Sequence, residues 1–314
     1  SVPANFNDAA KQATVNAARL AGLEVKRLIN EPTAAAIAFG VNHLEAEAQL
    51  VVFDFGGGTL DVTTLEMMEG VLEVTASFGD TELGGKEFDE VMQSLILRKF
   101  EQANGRLVIS DKSRRKLKAV AERAKIALST HDLFEVRMDY FASNGSDVVD
   151  LEVEVTRPEF EQAAQPLLDR ASECLRKALE AGQLHPSPAN TVLMVGGTTY
   201  IPCVRALVGE FFGGSPPQNV DPDLAVALGA ATLAGIEAGL VRPEDELVFT
   251  DVCPMGIGID VIGEVGGQRM LLYEALIKPN TKIPFSATYE HSLLRTDQEE
   301  CEMNVFQTHL HDDA

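Results

Sequence analysis

A chain of 314 residues exceeds a typical single domain and has ample length for buried cores in two or more packed units. Its hydrophobic content of 45% and charged content of 24% are those of an ordinary globular protein, and no apolar run reaches the length of a membrane span. The net charge of -22 opposes binding of a polyanion over a broad surface, so neither nucleic acid nor membrane is an expected partner.

Ser1-Val2-Pro3 reads as the end of a strand already under way, so the chain is expected to begin inside a domain. Residues 7 to 21 form an alanine-rich helix that Asn7 or Asp8 can cap and Gly22 ends. Val25 to Ile29 reads as a short strand, and Pro32 opens a second helix that stops at Gly40. Leu50 to Phe53 and Asp61 to Leu65 read as antiparallel strands, followed by a strand pair through Gly70 and a turn at Gly79-Asp80. Leu83-Gly84-Gly85 introduces a helix from Lys86 to about Gln102. A further helix runs from Ser113 to Ser129, with Leu117, Ala121, Ala124 and Leu128 as its apolar stripe. Strands through Phe134–Met138 and Val149–Val155 lead to Thr156-Arg157-Pro158-Glu159, a helix start with threonine as cap. Thr191 to Val195 is a buried strand that turns through Gly196-Gly197 into a helix near Ile201-Pro202. Residues 221 to 236 read as a capped helix whose small side chains allow close packing against a sheet, and beyond Gly239 strand-and-turn sequence takes over. The alternation up to that point predicts an α/β domain.

The stretch VVFDFGGGTLDV, residues 51 to 62, carries the most chemistry. Gly56, Gly57 and Gly58 have no side chains, so their N–H groups can approach a phosphate closely. Asp54, Asp61 and Thr59 flank the bend, and polyphosphate chemistry needs such groups: carboxylates to hold hydrated magnesium or orient a water, and a hydroxyl to donate to a terminal phosphate. A second loop, Gly196-Gly197 between a strand and a helix start, suits an anion or a nucleobase, although a plain turn has the same pattern. Glu122, Lys125 and Ser129 share one helix face, where they could grip a sugar edge or serve as ordinary surface pairing.

Other features point less far. Between Lys112 and Lys125 seven basic residues accompany a single acid, Glu122, which a solvated helix face explains. Cys174, Cys203, Cys253 and Cys301 are widely spaced, as expected of free thiols in a reducing compartment. His309-Leu310-His311 puts two imidazoles on one strand face with nothing nearby to complete a metal site.

The stretches VPANFNDAAKQATVNAARLAGLEVKRLINEPTAAAIAFG, VVFDFGGGTLDV, GDTELGGKEFDEVM, AERAKIALS, VLMVGGTTYIP and DPDLAVALGAA occur in the order and at the separations that resemble the ATPase domain of the seventy-kilodalton heat-shock (DnaK-type) chaperones. The resemblance covers nearly the whole chain. It implies an α/β fold of the actin-like ATPase (ribonuclease H-like) class, incomplete at the N-terminus, followed by a partial all-β domain. Its implied divisions are a nucleotide-binding domain over 1–240, a linker over 241–252 and the start of a peptide-binding β domain over 253–314. Within that linker, Leu247 to Val252 resembles the family's interdomain segment.

By the same resemblance, Gly56, Gly57, Gly58 and Thr59 would bind the β and γ phosphates of ATP or ADP, and Asp54 would hold Mg2+ through water. Glu31, Asp54, Thr59 and Asp61 would form the catalytic set, Gly85, Glu122, Lys125 and Ser129 would contact ribose and adenine, and Gly196, Gly197, Thr198, Tyr200 and Asp223 would line the other side. Tyr200 stands where the family usually stacks an arginine on adenine, and a phenol can also stack. Pro3 resembles the family's proline switch, with Lys11 in place of its sensing arginine. The family's opening third, with its first phosphate loop and catalytic lysine, is not in this sequence, so the chain alone is expected to hydrolyse ATP poorly or not at all. The implied function is ATP-dependent protein folding in the stress response, in the cytoplasm. Expected partners are unfolded or apolar peptide segments, a J-domain co-chaperone and a nucleotide-exchange factor. The alternative expectation is a non-catalytic chaperone-like regulatory module that keeps the ATPase fold as a scaffold.

Overall fold

The computed structural model describes every residue except 42, 44–46, 146, 217–218, 241–247, 294–297 and 309–314. The beginning of the expected linker, including Leu247, and the pair His309 and His311 therefore lie outside the described residues.

Helix α1 (Asp8–Leu20) starts where the Asn7 side chain accepts a hydrogen bond from the Ala10 amide, and it ends at Gly22, whose φ of 79° belongs to the left-handed region. Helix α2 (Glu31–Gly40) carries proline in its first turn. Strands β1 (Ala48–Phe55), β2 (Leu60–Met68) and β3 (Val71–Asp80) form an antiparallel meander, with β7 (Thr191–Val195) parallel to β1 on its far side. Residues alternate across this sheet. Val51, Phe53 and Phe55 face a core shared with α3 (Gly85–Asn104), α4 (Asp111–Leu128), α5 (Arg157–Ala181) and α6 (Pro202–Phe212). Leu50 and Val52 face a second core with α2 and α7 (Ala225–Glu237), which gives a three-layer α/β/α unit.

Aromatic rings tie the first core together. Phe53, Phe55, Phe88 and Phe160 meet edge to face in sequence, with centroids 5.8, 5.8 and 6.3 Å apart, and burying each contributes about 1.5–3 kcal/mol. The predicted stripe of α4 is buried, as Leu117, Ala121, Ala124 and Leu128 all pack into this core. Thr156 and Glu159 form a reciprocal capping box at the start of α5. A small sheet of β4 (Val108–Ile109), β5 (Leu133–Ser143) and β6 (Val148–Thr156) packs against α3 and α4.

Beyond residue 247 the described elements are all strands. Strand β8 (Val248–Cys253) lies parallel to β3, pairing Val71, Leu72 and Glu73 with Val248, Phe249 and Thr250. Strand β11 (Thr281–Ile283) adds to β8, so the sheet order is β11-β8-β3-β2-β1-β7. A separate sheet is formed by β9 (Gly256–Val265), β10 (Gln268–Ile277) and β12 (Val305–Thr308). Among the described residues no helix is long and apolar enough to cross a membrane.

Three local expectations change. Val25 to Ile29 is not a strand: among the described residues the bridge nearest to it, Val2 to Asn30, falls just past its end, and a strand needs a partner along its length. Helix α7 begins at Ala225, four residues later than expected, after a turn in which the Asp221 side chain accepts the Asp223 amide and its carbonyl accepts the Ala225 amide. Its small residues pack against α2 and not directly against a sheet, with Gly229 facing the Ala34 carbonyl.

That crossing gives a stability prediction. A Cβ on Gly229 would stand 1.7 Å from the Ala34 oxygen, so Gly229→Ala must push α7 from α2. Thermal denaturation should show a lower Tm, corresponding to a loss of about 1–3 kcal/mol. An unchanged Tm would contradict the close crossing.

Candidate functional site

The register of β1 and β2 sets Asp54 directly opposite Asp61, with the triple-glycine bend between the strand ends. The Gly56 amide donates to the Thr59 carbonyl at 3.0 Å and closes the bend. Its carbonyls are used from behind: Gly85 N–H and the Thr198 hydroxyl both donate to Gly56 O, at 3.0 and 2.8 Å, and Lys86 N–H donates to Gly57 O at 2.9 Å. The amides of Gly57 and Gly58 have no partner among the described residues, and Gly57 is exposed. Two free donors at an open bend are what an anion requires.

The bend is clamped by two other glycines. A Cβ on Gly84 would lie 2.3 Å from Gly58 N, and one on Gly196, whose φ is 83°, would lie 2.5 Å from Phe55 O. Gly84 was not among the expected site residues. Leu83-Gly84-Gly85 signals a helix start in the sequence, but only the packing shows that the first of its glycines touches the bend.

Three acids lie beneath. Burial raises the Asp54 carboxyl to about 8, with the charges of Glu31 and then Asp61 adding to the shift. One of its oxygens, Oδ2, is buried with no hydrogen-bond partner. Asp61 is raised to about 6 by burial, opposed by Asn5, whose side-chain and backbone N–H groups donate to Oδ1 at 2.6 and 3.2 Å. Glu31, at the start of α2, is also raised by burial, against a hydrogen bond from the Ser1 hydroxyl at 3.1 Å. Asn5 is a site residue that spacing could not reveal, since it lies 56 positions from its partner.

An orphaned, buried carboxylate oxygen among like charges suits a cation. Among the described residues no three His, Cys, Asp or Glu side chains converge closely enough to chelate a metal directly. A single orphaned carboxylate oxygen is compatible with a cation held through its own waters, as Mg2+ commonly is, and Asp54 is the residue that would hold it.

The remaining expected residues form a second group around Thr198. Gly196 N–H donates to Pro222 O at 2.9 Å, and the Tyr200 hydroxyl donates to Asp223 Oδ2 at 3.2 Å, which fixes the half-exposed ring. A Cβ on Gly85 would lie 3.1 Å from Thr198 Oγ1 and 3.2 Å from Lys125 Nζ, so the two groups adjoin. Lys125 is engaged by the protein itself, 3.1 Å from Gly85 O and 2.8 Å from Asp89 Oδ1. Glu122 is exposed and makes no hydrogen bond among the described residues, while the Ser129 hydroxyl makes only a long contact of 3.5 Å to Lys125 O.

The family model described as Hsp70 protein matches residues 1–312 of the chain. Chaperone protein DnaK 1 of Synechococcus sp. is 40% identical over 308 residues, an overlap that covers 98% of this chain. The chain spans 40% of the length of that relative.

The acid cluster gives a pH prediction. Native Asp54 keeps its proton up to about 8, whereas an unfolded aspartate releases it near the ordinary value of 3.8, so folding stability falls as pH rises between these values. Asp54→Asn removes that loss. Urea denaturation should find the variant more stable than the parent at pH 8, by about 1–3 kcal/mol, with the difference fading toward pH 4. Parallel stability curves would remove the buried-charge account of this residue.

Proposed function

This chain belongs to the Hsp70 family, and on that premise we propose that it takes part in ATP-dependent protein folding, with the described acids and glycine loops as its nucleotide site. The family carries the actin-like ATPase fold, with which the mixed α/β sheets agree. The observation that carries the reading is the open bend with two unpaired amides above an orphaned carboxylate oxygen.

In this reading the Gly57 and Gly58 amides donate to phosphate oxygens and the Thr59 hydroxyl donates to the terminal phosphate. Bound Mg2+ would supply charge neutralisation for the phosphates. Asp61, held by Asn5 and titrating near 6, is ionised at neutral pH and accepts a hydrogen bond from the attacking water, with Glu31 orienting it from α2. Phosphoryl transfer is mostly positioning, so no covalent intermediate on the protein is required. Tyr200, Gly196, Gly197 and Asp223 form the nucleobase side, and Gly85, Glu122, Lys125 and Ser129 the sugar side.

Coupling to a peptide partner runs through β8. Asp251 Oδ2 accepts from Asn30 Nδ2 and Thr33 Oγ1, both at 3.0 Å, so the proposed linker grips the turn of α2 that carries Glu31. Beside β9 and β10, a cavity of about 610 Å3 offers a peptide segment apolar contacts from Ile259, Leu271 and Met303, with Asp260, Glu274 and Glu302 also in its lining. A J-domain co-chaperone and a nucleotide-exchange factor are the further proposed partners, with the cytoplasm as the site of action. We propose the divisions 1–240, 241–252 and 253–314 for nucleotide, linker and peptide parts.

The pairings Tyr200–Asp223 and Lys125–Asp89 favour a second reading, in which base and sugar contacts have been lost and the fold persists as a scaffold. Calorimetric titration with Mg-ATP separates the two, since a scaffold gives no heat of binding. In the protein as its gene encodes it, Asp54→Asn and Thr59→Ala should each slow phosphate release at least about tenfold. Rates equal to the parent's would remove both residues from the mechanism. Asp251→Ala should leave basal hydrolysis within about twofold while abolishing its response to an apolar peptide, and a retained response would end the coupling proposal.

A further inference from the structure

Helix α4 carries Lys112, Arg114, Arg115, Lys116, Lys118 and Arg123 on its exposed side. Among the described residues no ion pair or hydrogen bond is made by the side chain of any of the six. Lys112 and Lys116, and Arg114 and Lys118, stand four residues apart, where like charges on a helix repel. The buried side of the same helix packs on β5, with Leu117, Ala124 and Leu128 in the same core as Val136 of β5 and Leu151 and Val155 of β6. Strand alternation then sends Glu135, Arg137, Glu152 and Glu154 to the opposite, exposed face of that sheet.

That face is acidic and also repels itself. Glu135 pairs in register with Glu154, a like-charge cross-strand pair, and a cation on the same face, Arg137, is 3.0 Å from Glu135. Glu135, Arg137, Glu152 and Glu154 line a shallow cavity of about 180 Å3. The unit of α4 and its sheet thus carries an excess of basic charge on one side, where Asp111 and Glu122 offset only part of it, and an excess of acidic charge on the other, where Arg137 offsets only part.

We propose that these two faces bind each other between copies of the chain, the α4 face of one docking on the β5–β6 face of the next. The occupant is a second copy because both complementary surfaces are present on one molecule. The contact is heterologous, so each added copy leaves one basic and one acidic face free and the stack grows without closing. The net charge of -22 opposes approach at long range, but at physiological salt fields fall off over about 8 Å, so charges in contact outweigh distant ones. This inference does not depend on the nucleotide reading.

Sedimentation velocity tests it. At about 150 mM salt the average mass of the parent should rise with protein concentration past a dimer, and at about 1 M it should return to the monomer. Arg115→Glu with Arg123→Glu removes most of the excess charge of the basic face, and Glu135→Lys with Glu154→Lys turns the acidic face basic; all four positions are exposed, so neither change disturbs a core. Each double variant alone should associate at least about tenfold more weakly than the parent. Mixing the two should restore association, since the basic face of one meets the acidic face of the other. A parent that stays monomeric, variants that associate as the parent does, or a mixture that stays monomeric would each overturn the proposal.

Discussion

Two buried carboxyls, Asp54 and Asp61, with the half-buried Glu31 beside them, resist carrying charge together beneath a glycine bend unless a cation offsets them. Burial and the neighbouring charges of Glu31 and Asp61 raise Asp54 to about 8, and its Oδ2 has no partner to offset the loss of water. Isolated buried charges cost several kcal/mol, yet the fold keeps all three groups and spends Asn5 on holding one of them. Strain of this kind makes sense where a bound cation and a polyphosphate relieve it.

The surrounding architecture serves to keep that cluster and the bend in register. Backbone meets backbone at Gly84 against Gly58 and at Gly196 against Phe55, contacts that no side chain would allow. Thr198 and Gly85 both donate to Gly56 O, which ties the two glycine loops to each other. On the other face, α2 presents Glu31 to the cluster while Gly229 lets α7 lie against it and Asp251 binds its first turn. Strand β8 is therefore joined to α2 by direct side-chain hydrogen bonds.

Much of this was legible in the sequence. The hairpin around the glycines, the Asn7 and Thr156 caps and the buried stripe of α4 follow from propensity and period, because each is settled within a few residues. Partners distant in the chain were not legible. Periodicity marks which face is apolar but not what covers it, so α7 was expected on a sheet and lies on α2. Spacing groups Glu122, Lys125 and Ser129 on one helix, but it cannot show that Asp89 on α3 already holds Lys125. The segment from Val248 to Val252 was expected as a linker, and its pairing with β3 depends on an edge only the assembled sheet provides.

Whether the acid cluster is a cation and polyphosphate site can be measured at Asp54 itself. With 13C-labelled aspartate, its carboxyl resonance can be followed through a pH titration, first without ligand and then with saturating Mg2+ and ATP. The account predicts a midpoint near 8 without ligand and one well below it with both present. A midpoint that stays near 8 with ligand bound elsewhere on the chain would contradict it.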